Sequence, residues 1–450
     1  MSDIYVRSTD GDNVDDGSTW ALAKSTLAGA AAIDAAGDTI YVSDNHAEST
    51  ATAVTLSFAG TTSAPTKVLC VDDAAEPPTA LATTGTITTT LGSSITINGN
   101  AYFYGLTFYA GSGFNNAGFN LANTAGNTQT YENCNFRMPA TGTSVANSLK
   151  VGTETTDQSP SKVTWKNCGV RFGGHSAQGI KVTGGILEWN GGSYISGAST
   201  AHNLFSGGNT SSGRPSVAFV SGVDLSAMPA ANTLVNVGNE ALHRIIFRNC
   251  KLPASWSGTL TTGTKQPGTR VEMHNCDNAD TNYRLWVEDY YGSIKHETTI
   301  VRSGGASDGT TPLSWIMVSG GAAVYPLGQL VSPEMAVWND TTGSAKTVTV
   351  EIVTDNVTLN NDECWLEIMH LGTSGYPLGA WVTDCKADIL ATTAAQASSS
   401  ETWTTTGLTT PVKQKLSASF TPQEKGYVIA RVVLAKASTT VYVDPKLTVS

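Results

Sequence analysis

The hexapeptide Tyr131-Glu-Asn-Cys-Asn-Phe136 recurs in three further versions along the chain. Each version places an Asn-Cys pair two residues after an apolar residue. The other versions are Trp165-Lys-Asn-Cys-Gly-Val170, Phe247-Arg-Asn-Cys-Lys-Leu252 and Met273-His-Asn-Cys-Asp-Asn278. Because Asn tolerates a left-handed backbone and can hydrogen-bond within its own turn, the pattern predicts a strand that meets a bend.

Degenerate copies of the hexapeptide lie before and between these four. They are Phe103-Tyr-Gly-Leu-Thr-Phe108, Glu188-Trp-Asn-Gly-Gly-Ser193 and Val220-Ser-Gly-Val-Asp-Leu225. Aligned on the cysteine, the repeat positions are 106, 134, 168, 191, 223, 250 and 276, and their spacing of 23 to 34 residues fits one coil of a parallel β-solenoid with loops of variable length.

Stacked coils place equivalent residues above one another, which gives the Asn-Cys pairs a structural role. The asparagines are predicted to form an amide ladder: Asn133, Asn167, Asn249 and Asn275. The cysteines are predicted to fill the narrow interior as reduced thiols, and not to act as nucleophiles: Cys134, Cys168, Cys250 and Cys276.

Residues 18–38 are predicted to form a helix that caps the open end of the solenoid. Ser18 or Thr19 is the expected N-cap and Gly37 the expected C-cap. The apolar residues at helical spacing are Trp20, Ala23, Leu27, Ala30 and Ala31. A first strand is predicted at Thr39-Ile-Tyr-Val-Ser43.

This N-terminal region resembles the cap and first coil of right-handed parallel β-helix proteins of the pectate-lyase-like class. The segments that carry the resemblance are Ile4-Tyr-Val, Asp15-Asp-Gly-Ser-Thr-Trp20 and Ala36-Gly-Asp-Thr-Ile-Tyr-Val42. The class includes many phage tailspikes and other virion proteins, and the resemblance covers residues 4–285. It implies the fold but no single activity, because the class mixes lyases, hydrolases, epimerases and non-enzymatic adhesins.

The sequence changes character near residue 290, where the Asn-Cys units stop and alternating strands begin. The predicted strands are Leu313–Val318, Lys346–Val353, Glu363–Met369, Leu378–Thr383, Lys413–Phe420, Gly426–Ala435 and Thr439–Asp444. They predict an antiparallel β-sandwich of jelly-roll or Ig-like type. The predicted domains are a cap and first coil (1–45), a parallel β-helix (46–289) and the sandwich (290–450), an all-β layout that resembles phage spikes and fibres.

Composition excludes several classes of function. A net charge of −11 argues against a general nucleic-acid binder, and the acid excess lies in residues 1–100, with 12 acidic and 3 basic side chains. No apolar run approaches the ~20 residues of a membrane span. The start Met1-Ser-Asp3 has no secretory signal, so synthesis in a host cytoplasm is expected. Seven cysteines fit neither a disulfide scaffold nor a zinc clamp.

Catalytic groups are sparse in the predicted β-helix. Between residues 101 and 272 the acids are Glu132, Glu154, Asp157, Glu188, Asp224, Glu240 and Glu272, with no adjacent pair. Gly173-Gly-His-Ser-Ala-Gln-Gly-Ile-Lys181 is faintly similar to a polygalacturonase His-Gly element but lacks its neighbouring Gly and its acids. We therefore predict no catalytic residues. Convergence of Glu188, Glu240 and Glu272 on one face stays open as the alternative.

No cofactor and no metal site are predicted. Asp10, Asp12, Asp15 and Asp16 lack the alternation and the terminal Glu of an EF-hand, so they predict a solvated turn, with Ca²⁺ binding as the alternative. The histidines at 175, 202, 243 and 274 show no metal-ligand spacing. The sequence also contains no phosphate-binding loop, dinucleotide fingerprint or serine nucleophile elbow.

Aromatic residues of the C-terminal third are divided by their predicted position. Trp315, Trp338 and Trp365 lie in strands and are predicted to be core residues. Tyr376, Trp381 and Trp403 lie near loops or strand ends, where aromatic rings can stack on sugars, so they are the candidate glycan-binding residues.

Together these features predict a non-enzymatic surface protein of a phage virion that forms a homotrimer. Tailspikes often carry a separate N-terminal particle-binding domain, whereas here the cap of the β-helix begins near residue 4. A head decoration or spike protein is therefore favoured over a tailspike-like adhesin. The expected partners are further copies of the chain, capsid or tail proteins and host surface glycans, without nucleic acid or membrane insertion. The alternatives are a polysaccharide-degrading tailspike and a bacterial surface carbohydrate-binding protein.

Overall fold

The computed structural model describes residues 2–112, 117–139, 148–153, 160–173, 178–197, 202–206, 216–238, 243–278, 282–321, 329–371, 390–391, 397–422 and 424–450. Contacts divide the chain into two units, Met1–Arg284 and Leu285–Ser450. Each unit is described by itself below.

Three parallel sheets form the first unit. The first sheet contains Asp3–Val6, Thr39–Ser43, Thr66–Val71, Ala101–Tyr104, Thr128–Glu132, the first halves of Ser161–Arg171 and Gly185–Tyr194, Ser216–Ser221, His243–Arg248 and Arg270–Asp277. The second contains Ala47–Thr50, Thr86–Thr90, Thr107–Ser112, Asn135–Arg137 and the second halves of the two long strands. The third contains Val54–Ser57, Ile95–Asn98, Phe119–Leu121, Leu149–Val151, Ile180–Val182, Asn203–Ser206, Thr233–Asn236 and Thr261–Thr262.

A complete coil contributes one strand to each sheet and pairs with the coils before and after it. In the coils that begin at Ser216, His243 and Arg270, isolated bridges at Asp224, Lys251 and Asp277 take the place of the strand in the second sheet. Tyr131 lies opposite Trp165 and Trp165 lies opposite Trp189, all in parallel register. The prediction of an all-β chain with a parallel β-helix is confirmed.

The bend between the first and second sheets has the same conformation in every repeat. Asn133, Asn167, Asn249 and Asn275 all have a positive φ, between 51° and 53°. Glycine takes the same place in the degenerate repeats, at Gly105, Gly191 and Gly222. Since few residues other than Asn and Gly adopt this conformation at low cost, the bend explains why the repeat uses them.

The four asparagines contribute through their backbone conformation at this bend, and hydrogen bonds between their side-chain amides are not seen in the described residues. Asn167, Asn249 and Asn275 are exposed and Asn133 is partly exposed. The hydrogen bonds of these four described residues join no side-chain amide to another; the backbone amide of Asn133 donates instead to Lys166 O on the next coil, at 2.9 Å.

The cysteines that follow the bend point into the β-helix. Pairing of Asn135 with Gly169 and of Phe247 with Met273 places Cys134 beside Cys168 and Cys250 beside Cys276. All four are fully buried free thiols. Burial raises the pKa of the Cys168 thiol to about 12.

One repeat is shifted by a residue from its predicted alignment. Cys168 pairs with Gly192, not with residue 191, because Lys166 lies opposite Asn190. The Asn of Trp189-Asn190 therefore ends the first strand, and Gly191 takes the left-handed position.

Aromatic rings fill the interior beside the cysteines. Phe103 stacks on Tyr131 with ring centroids 4.6 Å apart. Phe136 stacks on Trp165 at 5.0 Å, and Trp165 meets the edge of Trp189 at 5.4 Å. The side chains of all five residues are completely buried, so these contacts hold adjacent coils in register.

The single helix predicted over residues 18–38 is wrong. The segment contains a 3₁₀ turn, Trp20–Leu22, and a short α-helix, Leu27–Ala31, capped by Thr26. The residues between them are extended because Lys24 N donates to Tyr5 O and Arg7 N donates to Lys24 O, each at 2.9 Å. The apolar residues of the predicted helix are nevertheless all buried.

The second unit is a sandwich of two antiparallel sheets. One sheet contains Asn282–Asp289, Gly292–Glu297, Ser314–Ser319, Thr440–Val443, Lys346–Asp355, Pro411–Phe420, Thr448–Val449 and Ala397–Ser398. The other contains Leu330–Val331, Met335–Asn339, Gly426–Leu434, Cys364–His370 and Leu390–Ala391. A small ribbon pairs Val301–Arg302 with Trp403–Thr404.

The sandwich core is built from the inward face of each sheet. Val350, Ile352 and Val443 of the first sheet pack in one cluster with Leu366 and Val432 of the second. Of the predicted strands, 378–383 lies outside the described residues. The other six predicted strands overlap observed ones, and the antiparallel pairing predicted for this region is observed.

Candidate functional site

Three carboxylates lie on the outward face of the first parallel sheet, those of Glu132, Glu188 and Glu272. Glu188 and Glu272 share one column of this face, with Phe219 and Ile246 between them. Three strand steps of ~4.8 Å separate their backbones by about 14 Å, beyond the about 5 to 9.5 Å of a glycosidase carboxylate pair. Glu240 lies outside the described residues.

Neighbouring groups already bind these carboxylates. Lys162 Nζ lies 2.9 Å from Glu188 Oε1, and Thr164 donates to Glu188 Oε2 at 3.1 Å. Both partners are on the strand farther from Glu272, so Glu188 does not lean towards it. On Glu132, Oε2 accepts a hydrogen bond from the Tyr102 hydroxyl at 3.1 Å.

Glu272 is held as an ionised carboxylate. It is only 7% exposed, with Arg270 Nε 2.7 Å from Oε1 and His274 Nε2 2.8 Å from Oε2. Burial alone would raise the pKa of Glu272, but the hydrogen bonds from His274 and Arg270 outweigh it and lower the pKa to about 2. A proton donor at neutral pH needs a raised pKa, so Glu272 is unsuited to general-acid catalysis.

We expect Glu272→Gln to weaken the acid sensitivity of the fold. A carboxyl group whose pKa is lowered on folding stabilises the protein above its unfolded pKa, and this contribution is lost as the pH falls towards about 2. Its size is on the order of 3 kcal/mol. Urea unfolding at pH 7, 4.5 and 3 measures it: the difference between wild type and E272Q should shrink at each step. Glu132→Gln is the control, and an equal pH trend in both variants contradicts the assignment.

The N-terminal acidic residues are bound to nearby groups of their own turn. Arg7 Nε lies 2.5 Å from Asp10 Oδ1. Asp12 accepts from Val14 N at 3.1 Å, and Asp16 accepts from Ser18 N at 2.9 Å. Hydrogen bonds from Ser18 lower the pKa of Asp16. Across the described residues, no group of three or more His, Cys, Asp or Glu side chains is arranged to hold a metal ion.

The histidines of the β-helix are mostly interior. His202 Nε2 lies 3.1 Å from the Tyr194 hydroxyl and 3.2 Å from Asn232 Nδ2, within a buried polar cluster. His243 is 2% exposed, and His274 contacts Glu272. His175 lies outside the described residues.

The structure corrects the predicted glycan-binding aromatics. Trp403 is only 6% exposed because it packs with Ile300 and Val353 in a small cluster, so its ring has no open face for a sugar. Tyr376 and Trp381 lie outside the described residues.

An exposed aromatic pair lies instead on the outward face of the five-stranded sheet of the sandwich. Trp338 is 48% exposed and Tyr427 is 52% exposed, so the prediction that Trp338 is a core residue is wrong. The two residues lie opposite each other on adjacent strands, with ring centroids 5.0 Å apart and planes at 79°. Of the other predicted core tryptophans, Trp365 is buried and Trp315 is partly buried.

The same outward face combines apolar and charged groups. Ile429 and Met369 are paired on adjacent strands, followed by the ion pair of Arg431 Nε with Glu367 Oε2 at 2.6 Å. These four residues line a shallow depression together with Glu334. We call the surface formed by Trp338, Tyr427, Ile429, Met369, Glu367 and Arg431 the aromatic face.

A pattern in the sequence identifies one half of the aromatic pair. Along Gly426–Leu434, Val428, Ala430 and Val432 are buried while Arg431 points outward. The charged Arg431 thus shows which alternate residues of this strand point outward. Tyr427 lies four positions earlier and therefore on the same side. Trp338 lacks such a marker, because Met335-Ala-Val-Trp338 is apolar on both faces.

Comparisons with known proteins yield weak similarities of fold. No protein-family model matches the sequence, and no curated protein matches it. The chain is similar to the enzymatically active domain of Bacteriophage CBA120 tailspike protein 4, with 9% identity and a TM-score of 0.20, over 94% of this chain and 65% of that one.

Two further solved structures are similar to a shorter part of the chain. A GH136 lacto-N-biosidase from Eubacterium ramulus has 10% identity and a TM-score of 0.24, over 61% of this chain and 57% of that one. A rhamnogalacturonan lyase has 13% identity and a TM-score of 0.25, over 61% and 68%. Similarities this weak do not decide a function.

Among the described residues, no helix has the length and apolar character to cross a membrane.

Proposed function

We propose that this chain is a non-enzymatic, glycan-contacting protein of a phage virion surface, and that its aromatic face is the contact site. The exposed Trp338–Tyr427 pair is the observation that supports this most directly. Large aromatic side chains at this exposure offer flat apolar rings to the apolar faces of sugars, and the adjacent Glu367–Arg431 pair supplies hydrogen-bonding groups for hydroxyls.

The proposed setting follows from the scaffold. The stacked β-helix and the sandwich are each a well-packed β scaffold, and such a scaffold can present a binding face at a particle surface. Residues 101–289 hold 11 acidic and 13 basic side chains, so the β-helix surface can be buried against copies of itself without confining many unpaired charges. We propose a homotrimer attached to a capsid or tail as the unit.

We expect Trp338→Ala to weaken glycan binding at least tenfold, or by ~1.4 kcal/mol. The purified chain is screened against bacterial capsular and lipopolysaccharide glycans, and the affinity for the best glycan is then measured by calorimetry. Phe219→Ala is the matched control, since Phe219 is 40% exposed but lies on the β-helix. The control should bind as wild type does.

The same glycans test the non-enzymatic part of the proposal. Reducing-end and unsaturated-product assays on each bound glycan should remain negative; one clear product establishes a depolymerase in its place. Absence of binding to every glycan, or equal losses in W338A and F219A, contradicts the role of the aromatic face.

A further inference from the structure

Two arginines are stacked on the outward face of the second parallel sheet. Arg137 lies directly opposite Arg171 on the next coil, and Tyr109 lies opposite Arg137 on the coil before. Neighbouring strands are ~4.8 Å apart, so the two side chains leave the sheet side by side. The sequence places no repeat motif here, because the Asn-Cys units end before these positions.

Neither guanidinium group has a counter-charge within the described part of the chain. Nε of Arg137 and Nε of Arg171 are buried atoms without a hydrogen-bond partner. None of the carboxylates in the described part of the chain forms an ion pair with either residue. The segments that follow the two strands, 138–148 and 172–179, contain no Asp or Glu.

Such a pair is unfavourable unless an anion joins it. Like charges at this separation repel, and each buried Nε–H forgoes a hydrogen bond. Arg171 is also confined, because its side chain packs against Gly197. The contact is so close that a Cβ added to Gly197 would lie 2.8 Å from Arg171 Cγ and 2.9 Å from Arg171 Nε. A fixed planar donor with unused N–H groups is the usual partner of a carboxylate or a sulfate, which bind arginine through two parallel hydrogen bonds.

We propose that Arg137 and Arg171 form an oxyanion-binding site for the carboxylate or sulfate groups of an acidic polysaccharide. Tyr109 lies one coil away and borders the site. A polysaccharide is favoured over nucleic acid because two arginines suffice for one carboxylate or sulfate group, whereas nucleic-acid binding requires basic contacts to several successive phosphates. The site is separate from the aromatic face and does not depend on it.

The test compares Arg137→Gln/Arg171→Gln with wild type at low ionic strength. The probes are polygalacturonate, which carries carboxylates, dextran sulfate, which carries sulfate esters, and neutral dextran. Wild type should bind at least one acidic polymer ten or more times more tightly than dextran, and the double variant should lose at least tenfold of that affinity. The stronger of the two acidic polymers identifies the anionic group.

Matched variants make the outcome specific. Arg244→Gln/Arg248→Gln removes the same charge from two exposed arginines of the first sheet and should leave the affinity within about twofold of wild type. Trp338→Ala should also retain acidic-polymer binding, so failure of this site and failure of the aromatic face are distinguishable. Sodium sulfate should raise the melting temperature of wild type more than that of R137Q/R171Q.

Three results would overturn the site. They are no preference for either acidic polymer over dextran, an equal loss in R244Q/R248Q, and single-stranded DNA binding as tightly as the polysaccharides. The double variant should melt no lower than wild type, because the substitution removes no ion pair; a lower melting temperature assigns the arginines a structural role instead.

Discussion

Cys168→Asp should destabilise the β-helix by at least ~4 kcal/mol or prevent its folding. The Cys168 side chain is fully buried in the stacked interior, between Cys134 and Gly192 of the adjacent coils. Its thiol donates to Tyr131 O at 3.3 Å and Lys166 O at 3.5 Å. An aspartate there would face two carbonyl oxygens without a cation, so it must either be protonated or open the coil.

Lys166→Asp is the matched control for this substitution. Residue 166 lies two positions earlier on the same strand but points to solvent, so the same new carboxylate stays hydrated. Chemical unfolding of both variants measures the difference. Equal stability of C168D and K166D would mean that the cysteine does not face the interior, and the register of the coils would then be wrong.

Arg302→Ala should cost the sandwich about 3 to 5 kcal/mol, the usual effect of breaking a buried ion pair. Arg302 Nε donates to Asp444 Oδ2 at 2.5 Å, and Asp444 is completely buried. The other carboxylate oxygen accepts from Ala306 N at 2.7 Å. Removal of the guanidinium leaves this buried carboxylate without its cation.

Two further variants separate charge from packing. Arg431→Ala breaks a comparable Arg–Glu pair whose arginine side chain is 39% exposed, so it should cost no more than about 1 kcal/mol. Arg302→Met/Asp444→Leu removes both charges and should be closer to wild type than R302A. If R302A and R431A lower the unfolding midpoint equally, the burial of the Asp444 pair contributes nothing.

The fold was predictable because its main determinants are local and repeated. A bend occupied by Asn or Gly recurs in seven successive coils, from Gly105 to Asn275, and Cys or aromatic residues occupy fixed places around it. The shifted repeat at Trp189-Asn190 was misaligned because one Asn next to two glycines satisfies two registers. The helix over 18–38 failed because Lys24 bonds to the first strand, a contact that helical periodicity does not reveal.

The functional residues were less predictable because exposure in a sandwich depends on which face of a strand looks inward. Trp338 and Trp403 both lie in strands, yet Trp338 is outward and Trp403 is covered by Ile300 and Val353. The covering residues are about 50 to 100 positions away in sequence. The sequence distinguishes the outward from the inward face of a strand only where a charged residue marks the outward one, as Arg431 does for Tyr427.

The bend between the first and second sheets also determines where the protein can change. Four residues separate the buried aromatic residues on either side of the bend in three coils: Phe103 and Phe108, Tyr131 and Phe136, and Trp189 and Tyr194. From Gly105 to Asn275, successive bends are nevertheless 24 to 34 residues apart, so the variation in length of these coils falls elsewhere on the coil. Insertions, grafted loops or a whole duplicated coil can thus be accepted away from this corner, and the surface can diversify while one edge of the scaffold keeps constant dimensions.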